Sequence, residues 1–501
     1  MCVMGDFPNR AHVRGLLACC VGPVKNGAML LEVLAAITPR TASGGENSRP
    51  DATAIEGECV KIPGADGVVS FPRRSQKLVR EKADTGDGRR GERSAPVHWL
   101  HALALCCQAP RKAHFMTTPT TRSWLQTLVG FDTTSRNSNL HLIEHVRDAL
   151  AAQGVKAQLF QSPDGAKSNL FATLPAQDGG TQGGIVLSGH TDVVPVDGQQ
   201  WDTDPFALTE RDGKLYGRGT CDMKGFIAAG LALVPELLAM PRSKPLHFAL
   251  SYDEEVGCVG APLMLQQLKL QGQRLDGCVV GEPTSMQPVV AHKGIHVWRC
   301  KVQGKAAHSS LTPQGSNAIE YAARLICHIR DLADGFKASG PYDTLFDVPY
   351  TSMTTNQISG GIAVNTIPEL CEFAYEFRNL PGMAPDAIQA QVERYVQQEL
   401  LPRMRREFAG ARIEFEALAG VPAFDAAETA AIHQLVQALT GDRAQRKVAY
   451  ATEAGLFQQA GIPTVVCGPG AIAQAHTANE YVELTQLERC ETFLRKLAQS
   501  L

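Results

Sequence analysis

Two histidines and several carboxylates, far apart along the chain, each stand just beyond an apolar run or inside a Gly-rich loop. They are His190 and Asp192 in SGHTDVVP, Asp222 in GRGTCDMKG, Glu254 and Glu255 in SYDEEVG, Glu282 in VVGEPT, and His476 in AQAHTANEY. Imidazole and carboxylate are the donors that borderline and hard cations take. Two cations held about 3.5–4 Å apart need a bridging carboxylate, terminal ligands on each side and a water between them. Taken singly, each residue has a plainer reading. A lone His after a strand is more often hydrogen-bonded in the core or at a cap, and an Asp-Glu-Glu run followed closely by Gly257 is more often a solvated turn. Here the run follows the apolar segment LHFALSY, where adjacent carboxylates would repel one another without a cation. Glu282 follows CVVG in the same manner, and the conjunction points to two-metal hydrolytic chemistry.

Such residues need a scaffold that gathers distant strand ends. From about residue 155 the chain alternates VKAQLF, LFATLPA and GGIVLSG with a helix over 224–238, then LHFALSY, a helix from Ala261, and DGCVVG. That rhythm is α/β, with a mostly parallel sheet flanked by helices, and in such sheets ligands collect beyond the carboxyl ends of the strands. Upstream, Leu142, Ile143, Val146 and Leu150 share one helical face. After His292 the pattern becomes strand (GIHVWRCKVQG), helix (NAIEYAARLICHIRDLA), strands (TSMTTNQISG and ELCEFAYEFR), helix (PDAIQAQVERYVQQELLPRM) and strand (ARIEFEAL). Two βαβ-like halves predict a four-stranded α+β unit over 293–418, inserted into the first domain. The first domain thereby comprises 116–292 and 419–501, and its second piece supplies a helix near 426–439, the buried strand PTVVCGPG and the loop with His476.

At 501 residues and 44% apolar content the chain can bury a large core in more than one domain. Residues 1–115 carry 16 Lys+Arg against 11 Asp+Glu, leaving 32 against 40 in the remainder, so the body is acidic and has no nucleic-acid-binding character. That leading segment, rich in Gly, Pro, Ser and charge, reads as a disordered leader or as an over-extended start with Met116 as the true first residue. The second reading is preferred, because six Cys and 11 Arg occur there with no motif. No run of roughly eighteen apolar residues predicts a membrane span. The 14 cysteines form no CxxC pair, which fits a reducing, cytoplasmic setting.

HTDVVPVDGQQWDTDPF, LYGRGTCDMKG, SYDEEVGCVGA, VVGEPTSMQPVVAHKG, GKAAHSSLTPQGSNAIEYAARLI and FRNLPG resemble the di-zinc deacylases and peptidases, the family of acetylornithine deacetylase, succinyl-diaminopimelate desuccinylase, aminoacylase and glutamate carboxypeptidase. The resemblance runs from about residue 116 to the C-terminus. It implies two Zn2+ per subunit, with Co2+ as a substitute. Asp222 would bridge both ions, His190 and Glu282 would complete one site, and Glu255 and His476 the other. Asp192 is implied to orient His190, and Glu254 to be the general base. It also implies a homodimer through the inserted domain, in which His308, in GKAAHSS, reaches the neighbouring subunit's site and stabilises the oxyanion. Asn365, in GGIAVNTIP, and Arg378, in YEFRNLP, match substrate-binding positions, Arg378 for an α-carboxylate.

Within the family, AAHSSLTPQGSNAIEYAARLI, ATEAGLFQQAGIPTVVCGPG and QAH before EYV are most similar to the acetylornithine deacetylase branch. The lid and C-terminal strings of the desuccinylase branch are absent. The expected substrate is therefore an N-acetylated amino acid, N2-acetyl-L-ornithine, with Glu453 as the candidate partner for its side-chain ammonium. The alternatives are a desuccinylase or a broader N-acyl amino acid hydrolase or carboxypeptidase. TANEY departs from the usual residues after the final His, and Ser316 stands where Val is common.

Overall fold

In the computed structural model of the protein residues 119–501 are described, so the leader or late start expected at 1–115 lies outside the described residues. The chain enters through helices α1 (Thr121–Val129) and α2 (Leu140–Ala151), and α2 buries Leu142, Ile143, Val146 and Leu150 along the face that the periodicity predicts. Strands β1 (Ala157–Gln161), β2 (Ser168–Leu174) and β3 (Ile185–His190) follow, then helix α3 (Gly225–Ala239), β4 (Leu246–Ser251), α4 (Gly260–Leu270), β5 (Gly277–Pro283) and β6 (Val289–His292). Next come β7 (Ile295–Gln303), α5 (Ala318–Ser339), β8 (Ser352–Gly360), β9 (Leu370–Arg378), α6 (Pro385–Tyr395) and β10 (Arg412–Val421). The chain returns with β11 (Phe424–Asp425), α7 (Ala431–Thr440), β12 (Arg446–Val448), β13 (Thr464–Gly468) and α8 (Leu484–Gln499).

The large sheet runs in the order β1-β2-β4-β3-β5-β13-β6-β11, with β12 also paired to β6. Its centre, β4-β3-β5-β13, is parallel, as the apolar runs predict. β1, β2 and β11 pair antiparallel, which makes the whole sheet mixed. The central strands are buried along their whole length because helices cover both faces. Successive side chains divide between two cores, as the strand period requires. Leu187, Leu250, Val279 and Val465 pack with α1, α2, α3, α7 and α8, whereas Val186, Ala249, Val280 and Val466 pack with Ala261, Met264, Leu265 and Leu268 of α4. Each fully buried Leu or Phe here contributes about 1.5–3 kcal/mol.

The inserted unit is the expected pair of halves, β7-α5-β8 and β9-α6-β10, interleaved in the order β8-β9-β7-β10 with every pair antiparallel. β9 alternates buried and half-buried residues because α5 and α6 cover one face only. The other face is free to form a wall. Among the described residues no helix is long and apolar enough to cross a membrane.

Candidate metal centre and active site

All four central strands point their carboxyl ends the same way, and the chemistry-bearing residues lie there. His190 is the last residue of β3, Glu282 lies near the end of β5, Glu254 and Glu255 follow β4, and His476 follows β13. Asp222 belongs to the turn Thr220–Lys224 that leads into α3. Two glycines make these approaches feasible. Gly219 has φ +82°, and a Cβ there would lie 2.6 Å from Val193. A Cβ on Gly281, beside Glu282, would lie 2.1 Å from the Phe226 ring.

The Asp222 carboxylate is shared by two imidazoles, with Oδ1 3.0 Å from His190 Nε2 and Oδ2 3.3 Å from His476 Nε2. Glu282 Oε1 lies 3.9 Å from His190 Nε2, and Glu255 Oε2 lies 3.0 Å from His476 Nε2. Ligand atoms of His190, Asp222 and Glu255 fall within 4.8 Å of one another, as do those of His190, Glu254 and Glu282. His190 Nδ1 donates to the Asp192 backbone carbonyl at 2.9 Å, which turns Nε2 towards the carboxylates, where it donates to Asp222 and, once deprotonated, could bind a cation.

Burial and the crowding of like charges set the electrostatics of this cluster. Burial and the neighbouring Asp222 push Glu255 up to about 7 and Glu282 well above the usual carboxylate range. Glu254 is likewise raised by burial, against the pull of His190. Burial disfavours the Asp222 anion, but hydrogen bonds from His190 and His476 outweigh it and hold its pKa low. Those same bonds to Asp222 and Glu255 raise His476 to about 10. Glu282 Oε1 is moreover buried without a hydrogen-bond partner, an orphan acceptor aimed into the cluster. Imidazole and carboxylate donors with an unsatisfied oxygen fit divalent metal ions.

The Asp192 side chain, expected to orient His190, is committed chiefly to the main chain of the neighbouring turn. Its carboxylate is 3.5 Å from His190 Nδ1, but it accepts from the backbone N–H groups of Glu254 at 3.0 Å and Glu255 at 3.2 Å, and from Ser135 Oγ at 2.8 Å. It therefore fixes the turn carrying the expected base and one ligand. Cys258 Sγ donates to Glu254 Oε1 at 3.4 Å.

A cavity of about 390 Å³ opens over the cluster, walled by Val256, Ile295, Val297, Leu418, Tyr450 and Ile472 and reached by Arg378. Arg378 Nε donates to Glu376 at 3.0 Å. His308 and Asn365 are exposed on the inserted unit, on a two-stranded ribbon that pairs His308 with Thr366, and neither lines this cavity. Ser310 N–H donates to His308 Nδ1 at 3.2 Å, so Nε2 carries the outward N–H. Glu453 departs from expectation. It is 1% exposed, accepts from Ser188 Oγ at 3.2 Å and does not line the cavity, because its side chain is turned inward onto β3. Residues that spacing did not single out are Tyr450 in the cavity wall, and Ser135, Arg218 and Glu480, whose polar roles arise from contacts 57 to 262 positions away.

The profile of peptidase family M20/M25/M40 matches residues 186–500. The acetylornithine deacetylase of Pasteurella multocida (strain Pm70) is 36% identical over 374 residues, covering 74% of this chain and 94% of that protein. The acetylornithine deacetylase of Proteus mirabilis (strain HI4320) is 35% identical over 372 residues, covering 74% and 92%. In fold, the chain is similar to an M20 family metallo-carboxypeptidase from Sulfolobus solfataricus, with a TM-score of 0.58 at 17% identity over 76% of this chain and 98% of that one. It is also similar to a dinuclear metal-binding M20 peptidase from Bacillus subtilis, with a TM-score of 0.54 at 15% identity over 76% and 97%.

Proposed function

Because the chain belongs to peptidase family M20/M25/M40, we propose that it hydrolyses N2-acetyl-L-ornithine to L-ornithine and acetate, a step of arginine biosynthesis in the cytoplasm. The observation that carries the reading is the Asp222 carboxylate, with one oxygen on each imidazole, at the floor of a cavity with one arginine in its wall. His190 and Glu282 would hold one zinc ion, Glu255 and His476 the other, and Asp222 both, with cobalt as a substitute. Bound there, such cations would supply an acidified water and a Lewis acid for the amide carbonyl.

The chain's own residues supply the proton traffic and the positioning. Glu254, desolvated and beside Glu255 and Asp222, has an elevated proton affinity, so it takes the water's proton and passes it to the leaving amine. Arg378 receives the substrate α-carboxylate from the lid side of the cavity. His308 donates from Nε2 to the developing oxyanion of a second subunit's substrate, with Asn365 beside it. Support for a homodimer comes from the exposure of Ile362 and Val364, 90% and 105%, on the loop that leads to Asn365.

One observation favours a broader N-acyl amino acid hydrolase as the second reading. Among the described residues, every carboxylate lining the cavity belongs to the metal and base set, and the remaining wall is largely apolar. A panel of N2-acetyl-L-ornithine, N-acetyl-L-methionine and N-succinyl-diaminopimelate, read as kcat/KM for acyl release, tests the assignment. The acetylornithine reading expects the first to be fastest. A faster second substrate selects the broader hydrolase, and a faster third overturns both.

A further inference from the structure

Glu480 lies four residues after His476, immediately before a short strand, Tyr481–Glu483, that pairs antiparallel with Lys214–Tyr216. That ribbon lays the segment following one expected ligand against the Gly-rich loop that precedes another. The Glu480 side chain is 1% exposed and wholly committed to this loop. Oε2 accepts from Arg218 Nη1 at 2.7 Å and Gly219 N–H at 3.0 Å, while Oε1 accepts from the N–H groups of Cys221 at 2.9 Å and Asp222 at 3.1 Å. Arg218, also 1% exposed, lies over the Trp201 ring and donates to Gln199 Oε1. Gln199 Nε2 in turn donates to the His476 backbone carbonyl at 2.9 Å. A closed circuit thus runs from the backbone of Asp222 through Glu480, Arg218 and Gln199 to the backbone of His476.

A fully buried ion pair is a weak means of adding stability, because desolvation offsets the attraction. What it does well is specify one arrangement, and here both carboxylate oxygens are saturated by donors on the loop that aims Asp222. We propose that Glu480 and Arg218 are positioning residues of the metal centre, locking the Asp222 loop to the His476 loop so that the bridging carboxylate and its neighbouring imidazole are preset for a cation pair. The proposal rests on the two-metal reading above.

The test uses the full chain, stripped with a chelator and titrated with Zn2+ against a chromophoric competitor. Glu480→Gln and Glu480→Asp are expected to keep the wild-type far-UV circular dichroism but to bind Zn2+ about 10–100-fold more weakly. Their kcat recovers at saturating Zn2+ and KM is unchanged. Leu497→Ala, a core substitution remote from the site, is expected to lower Tm and leave Zn2+ affinity alone. If Glu480→Gln does not fold, Arg218→Lys carries the same expectation, since an ammonium cannot reproduce the fork that spans Glu480 and Gln199. Zn2+ affinity within about twofold of wild type in the folded variants overturns the clamp. A wild-type chain that binds no Zn2+ overturns the two-metal reading instead, so the two failures are distinct.

Discussion

Asp192→Asn is the substitution whose effect can be worked out most fully. The wild-type carboxylate is 2% exposed, and its two oxygens accept from Glu254 N–H, Glu255 N–H and Ser135 Oγ. Burial disfavours its charge, but His190, Ser135 and the Glu254 N–H overcome that and hold its pKa low, so it acts as an anion. An asparagine keeps the shape, yet whichever way its amide turns, an NH2 group faces one of the two backbone donors. A hydrogen bond to a charged acceptor contributes about 1.5–3 kcal/mol against about 1 for a neutral one. One bond lost and another weakened sum to about 2–5 kcal/mol, borne by the turn that places Glu254 and Glu255. At about 1.36 kcal/mol per decade this lowers kcat/KM by roughly 30-fold at the least and by some thousands at the most. The assay is the initial rate of acetate release at saturating Zn2+, a condition under which a defect confined to His190 ligation would be filled by excess metal. A variant within about threefold of wild type there would refute the argument that Asp192 sets the base.

Glu254→Gln should retain both metal ions and lose roughly 10²–10⁴-fold in kcat, measured together by metal analysis and turnover; retained turnover removes the general-base role. His308→Ala should lose roughly 10²–10³-fold in kcat with Zn2+ content unchanged. Mixing it with Glu254→Gln should restore activity, since a mixed dimer holds one complete site, and no restoration would place His308 in its own subunit's chemistry. Arg378→Met should raise KM for substrates bearing an α-carboxylate and leave substrates lacking that group unaffected. The pH dependence of the chelated protein follows from Glu255, raised from 4.5 to about 7, and His476, raised from 6.5 to about 10. Both groups bind more protons folded than unfolded, so stability falls as pH rises from about 4.5 through 7 and onward towards 10. Zn2+ displaces those protons, and its affinity climbs over the same window. A Tm of the chelated protein that rises from about pH 5 to 8 contradicts this sign.

Local pattern carried much of this molecule. Unbroken apolar runs such as IVLSGH and LHFALS can be buried only between two layers, so the parallel centre of the sheet was readable, and residues just past those runs fall at one edge of it. The alternation in LCEFAYEFR likewise marked a sheet covered on one face. The antiparallel flanks were not readable, since a short strand at the edge of a mixed sheet carries no mark of its partner's direction.

For the site, residue type and position beyond a strand sufficed to collect His190, Asp222, Glu254, Glu255, Glu282 and His476, because a cation selects donor chemistry that stands out against an apolar run. Which oxygen serves which neighbour was decided only by the tertiary fold. Asp192 holds the Glu254–Glu255 turn through backbone N–H groups, which all sequences possess alike, and Glu480 reaches Asp222 across 258 positions by the same kind of donor. Glu453, the acid expected to meet the substrate ammonium, is turned inward onto Ser188 of β3 and does not line the cavity. Sequence by itself thus determined which side chains can do the chemistry, while the packing of loops against one another decided how they are aimed. Hydrogen bonds to the main chain depend on where the backbone goes, and side-chain identity does not record that.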